Sequence, residues 1–139
     1  MPSVFDLTIP YAELLGMQRL SEEPGRVTSS VDIRPELMNS WGVAHGGAIM
    51  SLLDMTMGMS AKSLDPEAIG ATTVELKVNF LAAATGEIRA AGQATRAGRS
   101  LVFVEGEVRN AGGDVLAKAT GTFKLRYPAA SGDTGARPA

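Results

Sequence analysis

Apolar residues recur along 48–63 in a way that no surface helix allows. Projected at 100° per residue, Ile49, Leu52, Leu53, Thr56, Met57 and Ser60 share one broad face. Ala48, Met55 and Met59 widen that face, and Met50 and Ala61 carry it round the far side. The stretch has no proline, a single glycine (Gly58), and charge only at Asp54 and Lys62. It predicts a helix buried on almost all sides. At roughly 16 residues with a central aspartate it falls short of the ~20 needed to span a membrane.

Around this helix the period changes from helical to alternating. Val27, Val31 and Ile33 against Thr28, Ser30 and Asp32 predict a strand over Arg26–Ile33, ended by Pro35. After Asp65-Pro66 come four more strand-like runs: Thr72–Leu81, Glu87–Arg96, Ser100–Asn110 and Val115–Tyr127. In the first, Val74, Leu76, Val78 and Phe80 are expected on one face and Thr73, Glu75, Lys77 and Asn79 on the other. The small residues of the second suit a sheet pressed against something close. Ala111-Gly112-Gly113-Asp114 is a strong hairpin signal.

Ahead of these elements, Pro10 to Leu15 reads as a short helix that packs, or lies as a lid over a pocket. Ser21-Glu22-Glu23-Pro24-Gly25 reads as a turn. The order helix, strand, long apolar helix, four meandering strands gives an α+β architecture: an antiparallel sheet of five to six strands wrapped around one long central helix. Residues 1–127 are expected to form a single domain. From Pro128 to Ala139 nothing large and apolar occurs, which predicts a disordered tail.

Composition narrows the chemistry. A chain of 139 residues with 13 basic and 15 acidic side chains lacks the basic surface that nucleic acid requires. It contains no cysteine and one histidine, which leaves no disulfide, no thiolate nucleophile and no ordinary zinc site. No cofactor or metal is implied. No basic-then-apolar segment opens the chain, so the expectation is a cytoplasmic protein without a membrane anchor.

Two features of the long helix call for chemistry. Asp54 lies among Leu52, Leu53, Met55 and Met57, where an unpaired carboxylate is costly. Either the strip it shares with Gly47, Ser51, Gly58 and Lys62 is simply wet, or the carboxylate serves as a base or nucleophile at a pocket. His45-Gly46-Gly47 stands at the helix entrance, where first-turn N–H groups lack partners and can meet an anion or a developing oxyanion. Over nine residues a helix rises about 13.5 Å and turns by half a revolution, so His45 and Asp54 of one chain cannot meet. If both serve one centre, it lies between two subunits, and a two-fold dimer carries two such centres.

Asn39, six residues before His45-Gly46-Gly47, with Asp54 nine after the histidine, resembles the hotdog-fold acyl-CoA thioesterases of the phenylacetate-degradation type. The resemblance runs from about Pro10 to Tyr127. It implies hydrolysis of an aryl- or medium-chain acyl-CoA to free acid and coenzyme A. It also implies a homo-oligomer, a dimer at minimum and by family habit a dimer of dimers. By the same resemblance the N–H of Gly46, supported by Gly47, holds the oxyanion, and Asp54 of the facing subunit attacks or activates water. His45 orients the loop or polarises the carbonyl, and Asn39 and Thr73, or its neighbour Thr72, hold the water or the thioester.

Arg96, Gly98, Arg99 and Ser100 form the candidate contact for the coenzyme phosphates, or else a solvated hairpin tip. Trp41 walls the ligand pocket or packs on the sheet. One departure stands out: Phe80 is followed by Leu81, Ala82 and Ala83, where similar enzymes carry an arginine and a proline. A hydratase or dehydratase on the same fold, and a non-catalytic acyl-CoA-binding module, are the competing readings.

Overall fold

The computed structural model describes residues 7–129. Its elements are α1 (Pro10–Leu15), β1 (Gln18–Glu23), β2 (Arg26–Ile33), a 3-10 turn (Pro35–Leu37), α2 (Gly46–Lys62), β3 (Gly70–Phe80), β4 (Gly86–Ala97), β5 (Leu101–Asn110) and β6 (Val115–Arg126). The six strands form one antiparallel sheet in the order β1-β2-β4-β5-β6-β3, curled around α2. Most of the expected tail, 130–139, lies outside the described residues.

Two expectations are corrected here. The segment read as a turn from Ser21 is strand β1 as far as Glu23, and only Pro24-Gly25 turns, with Gly25 at φ 83°. Strand β1 is an edge strand with no fully buried residue, so no apolar alternation marks it. The four later strands are also not one meander. Strands β4, β5 and β6 follow one another, but β3 pairs with β6 at the far edge. Residues 81–85 therefore carry the chain across the sheet, from its β3 edge to β4 beside β2. Alternation fixes which face a strand buries and says nothing about its neighbour.

Helix α2 lies close on the sheet because the sheet offers glycine beneath it. Gly92 and Gly106 pair across β4 and β5, and Gly121 lies opposite Val104 on β6. A Cβ on Gly92 would stand 3.1 Å from Met57 Cα and 3.2 Å from Thr56 O, while one on Gly106 would stand 2.6 Å from Met57 Sδ. The sheet pressed against something close is thus pressed against the backbone of α2. Leu52, Leu53 and Met57 from the helix meet Val102, Val104, Val108 and Phe123 from the sheet, all essentially inaccessible to solvent.

A bulge in β3 decides the site. The register with β6 shifts between Thr73 and Glu75, so Val74 is the extra residue and stands 59% exposed. Beyond it, Leu76, Val78 and Phe80 keep the helix-facing side, as alternation predicted. Before it, the phase is reversed: Thr73 pairs with the buried Phe123 and turns toward α2 instead of joining Glu75 and Lys77 outside.

Candidate active site

Helix α2 begins at Gly46, two residues before the point where propensity alone starts it. His45 is its N-cap, and the imidazole Nδ1 accepts the N–H of Gly47 at 2.8 Å. A neutral His45 therefore carries its proton on Nε2. The same bond commits Gly47, whose N–H was expected to help hold an oxyanion. The N–H of Gly46 has no partner among the described residues, and the ring of Phe80 lies 3.4 Å from where a Cβ of Gly46 would be. A single free N–H at the positive end of a 17-residue helix, walled by an aromatic ring, is what the entrance presents.

The loop that delivers His45 is tied by Asn39. Its Oδ1 accepts from Trp41 N at 2.9 Å and Val43 N at 3.4 Å, and Asn39 N donates to Val43 O at 2.8 Å. This is the turn-capping use of asparagine. With Oδ1 taken twice, the Nδ2 group has no partner among the described residues and can act only as a donor. The bridge between Met38 and Ala44, and the bond from His45 N to Leu37 O, hold the two ends of this loop together. Trp41 packs on no sheet: it is 86% exposed at the loop tip.

Asp54 lies two and a half turns into the helix, half-buried, and Oδ1 accepts from Thr73 Oγ1 at 2.5 Å. The bulge at Val74 makes this bond possible. Together with Met55, Gly58 and Met59, the pair lines a cavity of about 180 Å³. The strip that one of the two readings made wet is so only in part: Ser51 and Gly58 are half-buried, but Lys62 is 6% exposed. Near its start, Tyr11 of α1 bonds Ser51 Oγ at 3.0 Å, and Ser51 Oγ donates to Gly47 O at 2.7 Å. The short N-terminal helix is thereby fastened over α2.

The structure thus joins Asp54 to Thr73, His45 to Gly47, and Gly46 to Phe80. It does not join the first pair to the other two, because Asp54 lies eight residues along α2 from Gly46, about 12 Å of helix rise. The arginine turn is elsewhere. Arg96 pairs with Phe103 on the outer face of the sheet, Ser100 O accepts from Leu125 N, and neither Arg96 nor Arg99 has a partner among the described residues. Phe80 and Lys62 were not foreseen at the site. Lys62 had a signal, since it falls on the strip of Asp54 and Gly58. The place of Phe80 beside Gly46 is a tertiary contact that no local pattern encodes.

A six-stranded antiparallel sheet rolled around one long helix is the hotdog fold. The chain belongs to the thioesterase superfamily, whose family model matches residues 42–117. Among solved structures, a conserved protein of Pseudomonas aeruginosa is 34% identical with a TM-score of 0.83, over 89% of this chain and 99% of that one. A Streptococcus mutans protein solved with acetyl-CoA is 27% identical with a TM-score of 0.74, over 80% of this chain and 89% of its own. The E. coli PaaI protein of the phenylacetic acid degradation operon shares the fold at 20% identity and a TM-score of 0.77, over 83% of each chain.

Proposed function

We propose that this protein hydrolyses an acyl-CoA thioester at a site completed by a second copy of the chain. The carrying observation is the 2.5 Å bond from Thr73 to Asp54 at the mouth of a cavity, on the same strand whose other end places Phe80 against Gly46. Strand β3 pairs on one side only, and Val74 and Phe80 are exposed along it, with Leu81 exposed just past its end. An open edge of 11 residues is a template for another strand. Antiparallel pairing of two β3 strands about Leu76-Lys77 would set Thr73 of one copy opposite Phe80 of the other. Asp54 would then face Gly46 of the partner subunit, which one chain alone cannot achieve. The exposed Trp41 beside that entrance would be covered in the same assembly.

In this site the thioester oxygen accepts the N–H of Gly46 and carries the negative charge of the tetrahedral intermediate there. A donor so placed typically contributes about 10²–10³ in rate. Thr73 donates to Oδ1 of Asp54, which leaves Oδ2 toward the substrate and the lone pairs of Thr73 Oγ1 toward a water molecule. Asp54 takes a proton from that water, its oxygen bonds to the acyl carbon, the C–S bond breaks, and the proton passes to the departing thiolate. Asn39 Nδ2 is a further donor for the water or the carbonyl. His45 acts by capping the helix, with Nδ1 committed to Gly47 and therefore not free as a base.

The acetyl-CoA bound to the Streptococcus mutans protein supports a coenzyme A thioester as substrate. The unpartnered guanidinium groups of Arg96 and Arg99 are the candidate phosphate contacts. The test is release of free thiol from a panel of acyl-CoA thioesters. Wild type is expected to hydrolyse at least one, and Asp54→Asn to lose about 10³ or more in kcat/KM with its fold intact. An Asp54→Asn protein as active as wild type would overturn the reading.

A further inference from the structure

The cavity beside Asp54 ends at a cation. Asp54, Gly58 and Lys62 follow one another at four-residue steps on α2, and all three line the cavity, which therefore tracks one helix strip for about 12 Å. A Cβ at Gly58 would meet only the ring of Phe123, at 3.6 and 3.8 Å, so the middle of the strip is open. Leu7 and Ile9 roof it from the N-terminal segment, which is held down where Arg19 Nη2 donates to Leu7 O at 2.7 Å.

Lys62 is 6% exposed, and its ammonium makes no hydrogen bond or ion pair among the described residues. No sealed side-chain nitrogen or oxygen there lacks a partner, so the lysine ammonium stays in reach of solvent while the residue lines the cavity. The nearby carboxylate of Asp65 feels its charge but is committed to the hydroxyl of Tyr127 at 2.7 Å and the N–H of Glu67 at 2.9 Å. An ammonium with no protein partner beside a cavity can pair with an anion that a ligand brings into it.

We propose that this cavity receives the acyl group and that Lys62 selects acyl groups ending in a carboxylate, the substrate class being monothioesters of dicarboxylic acids. The proposal rests on the thioesterase reading above. At about 180 Å³ the space exceeds the ~150 Å³ that holds a benzene molecule, which suits a chain of about six to eight carbons. Leu7, Ile9, Met55 and Met59 cover its methylene groups, and Lys62 meets its far end.

The test compares pairs of equal chain length, hexanoyl-CoA with adipoyl-CoA and octanoyl-CoA with suberoyl-CoA, on wild type, Lys62→Met and Lys62→Arg. Wild type is expected to prefer the carboxylate-ended member by about tenfold to a hundredfold in kcat/KM, as a charge-assisted contact provides. Lys62→Met should favour the methyl-ended member, and Lys62→Arg should keep the wild-type preference. A wild type indifferent to the terminal group, or the same ratio in Lys62→Met, overturns the proposal. Calorimetric titration of free suberate into Asp54→Asn, with and without Lys62→Met, separates the two levels. If no thioester is hydrolysed, the thioesterase reading fails. The groove then stands if suberate binds only when Lys62 is present, and falls if Lys62→Met makes no difference.

Discussion

Replacing Gly92 by alanine should loosen the whole site without touching it. The new Cβ would stand 3.1 Å from Met57 Cα and 3.2 Å from Thr56 O, and against Ser60 Oγ. The first two are backbone atoms of α2 and cannot rotate away. Comfortable carbon contacts begin near 3.5 Å, so the helix must lift by roughly 0.4 Å. Small-to-large substitutions in a packed core cost about 1–3 kcal/mol, and contact with backbone argues for about 2. For a chain of this size that is a fall in Tm of roughly 6–10 °C.

Gly106→Ala is the control. Its Cβ meets the Met57 side chain, at 2.6 Å from Sδ and 3.0 Å from Cγ, with Leu53 Cδ2 at 3.1 Å, and these can change rotamer, so about half the loss is expected. Gly58→Ala, with only ordinary contacts to Phe123, should raise stability through the helix propensity of alanine, by up to about 1 kcal/mol, and Tm with it. Differential scanning calorimetry ranks the three. Because Gly46 and Asp54 ride on the same helix, Gly92→Ala should also lower kcat on a thioester. Equal stability of Gly92→Ala and Gly106→Ala would refute the reasoning from backbone contact.

Thr73→Val keeps the shape and removes the hydroxyl that bonds Asp54; kcat should fall about 10- to 100-fold with KM little changed, in steady-state kinetics. A single turnover in ¹⁸O-labelled water should place the label in the released acid if Asp54 acts as a base, and in the Asp54 carboxyl if it attacks directly. The hydroxyl of Tyr127 and the N–H of Glu67 hold the Asp65 carboxyl below its ordinary value of 3.8, with Lys62 adding to the effect. The resulting stability is complete above 3.8 and is lost as pH falls through the lower folded value. Tyr127→Phe should move the Asp65 titration upward by carbon-detected NMR and shrink that acid-side loss.

What the chain spelled out locally, it spelled out well. The apolar wrap of α2, the alternation of β2, β4, β5 and β6 and the Gly-Gly hairpin are each set by neighbours in sequence, and each is found; in β3 the alternation holds only beyond Val74. The pairing of β3 with β6 depends on where a crossover goes, and β1 is an exposed edge with no buried residue to pattern it. Thr73 is the telling case. Alternation put it outside with Glu75 and Lys77, the family resemblance put it at the site, and a one-residue bulge at Val74 reconciles the two. Of the two readings offered for Trp41, packing on the sheet is not found within one chain, and Lys62, on the strip that one reading made wet, is buried.

The most direct test of a site shared between subunits is a heterodimer. One chain carries Gly46→Pro, which removes the N–H at a first-turn position where proline is tolerated. The other carries Asp54→Asn, and two affinity tags isolate the mixed species. Each homodimer should be nearly inactive. The heterodimer should contain one intact site, the Gly46 of one chain facing the Asp54 of the other, and so show about half the activity of the wild-type dimer. A heterodimer that forms, folds and is as inactive as both homodimers would contradict the account.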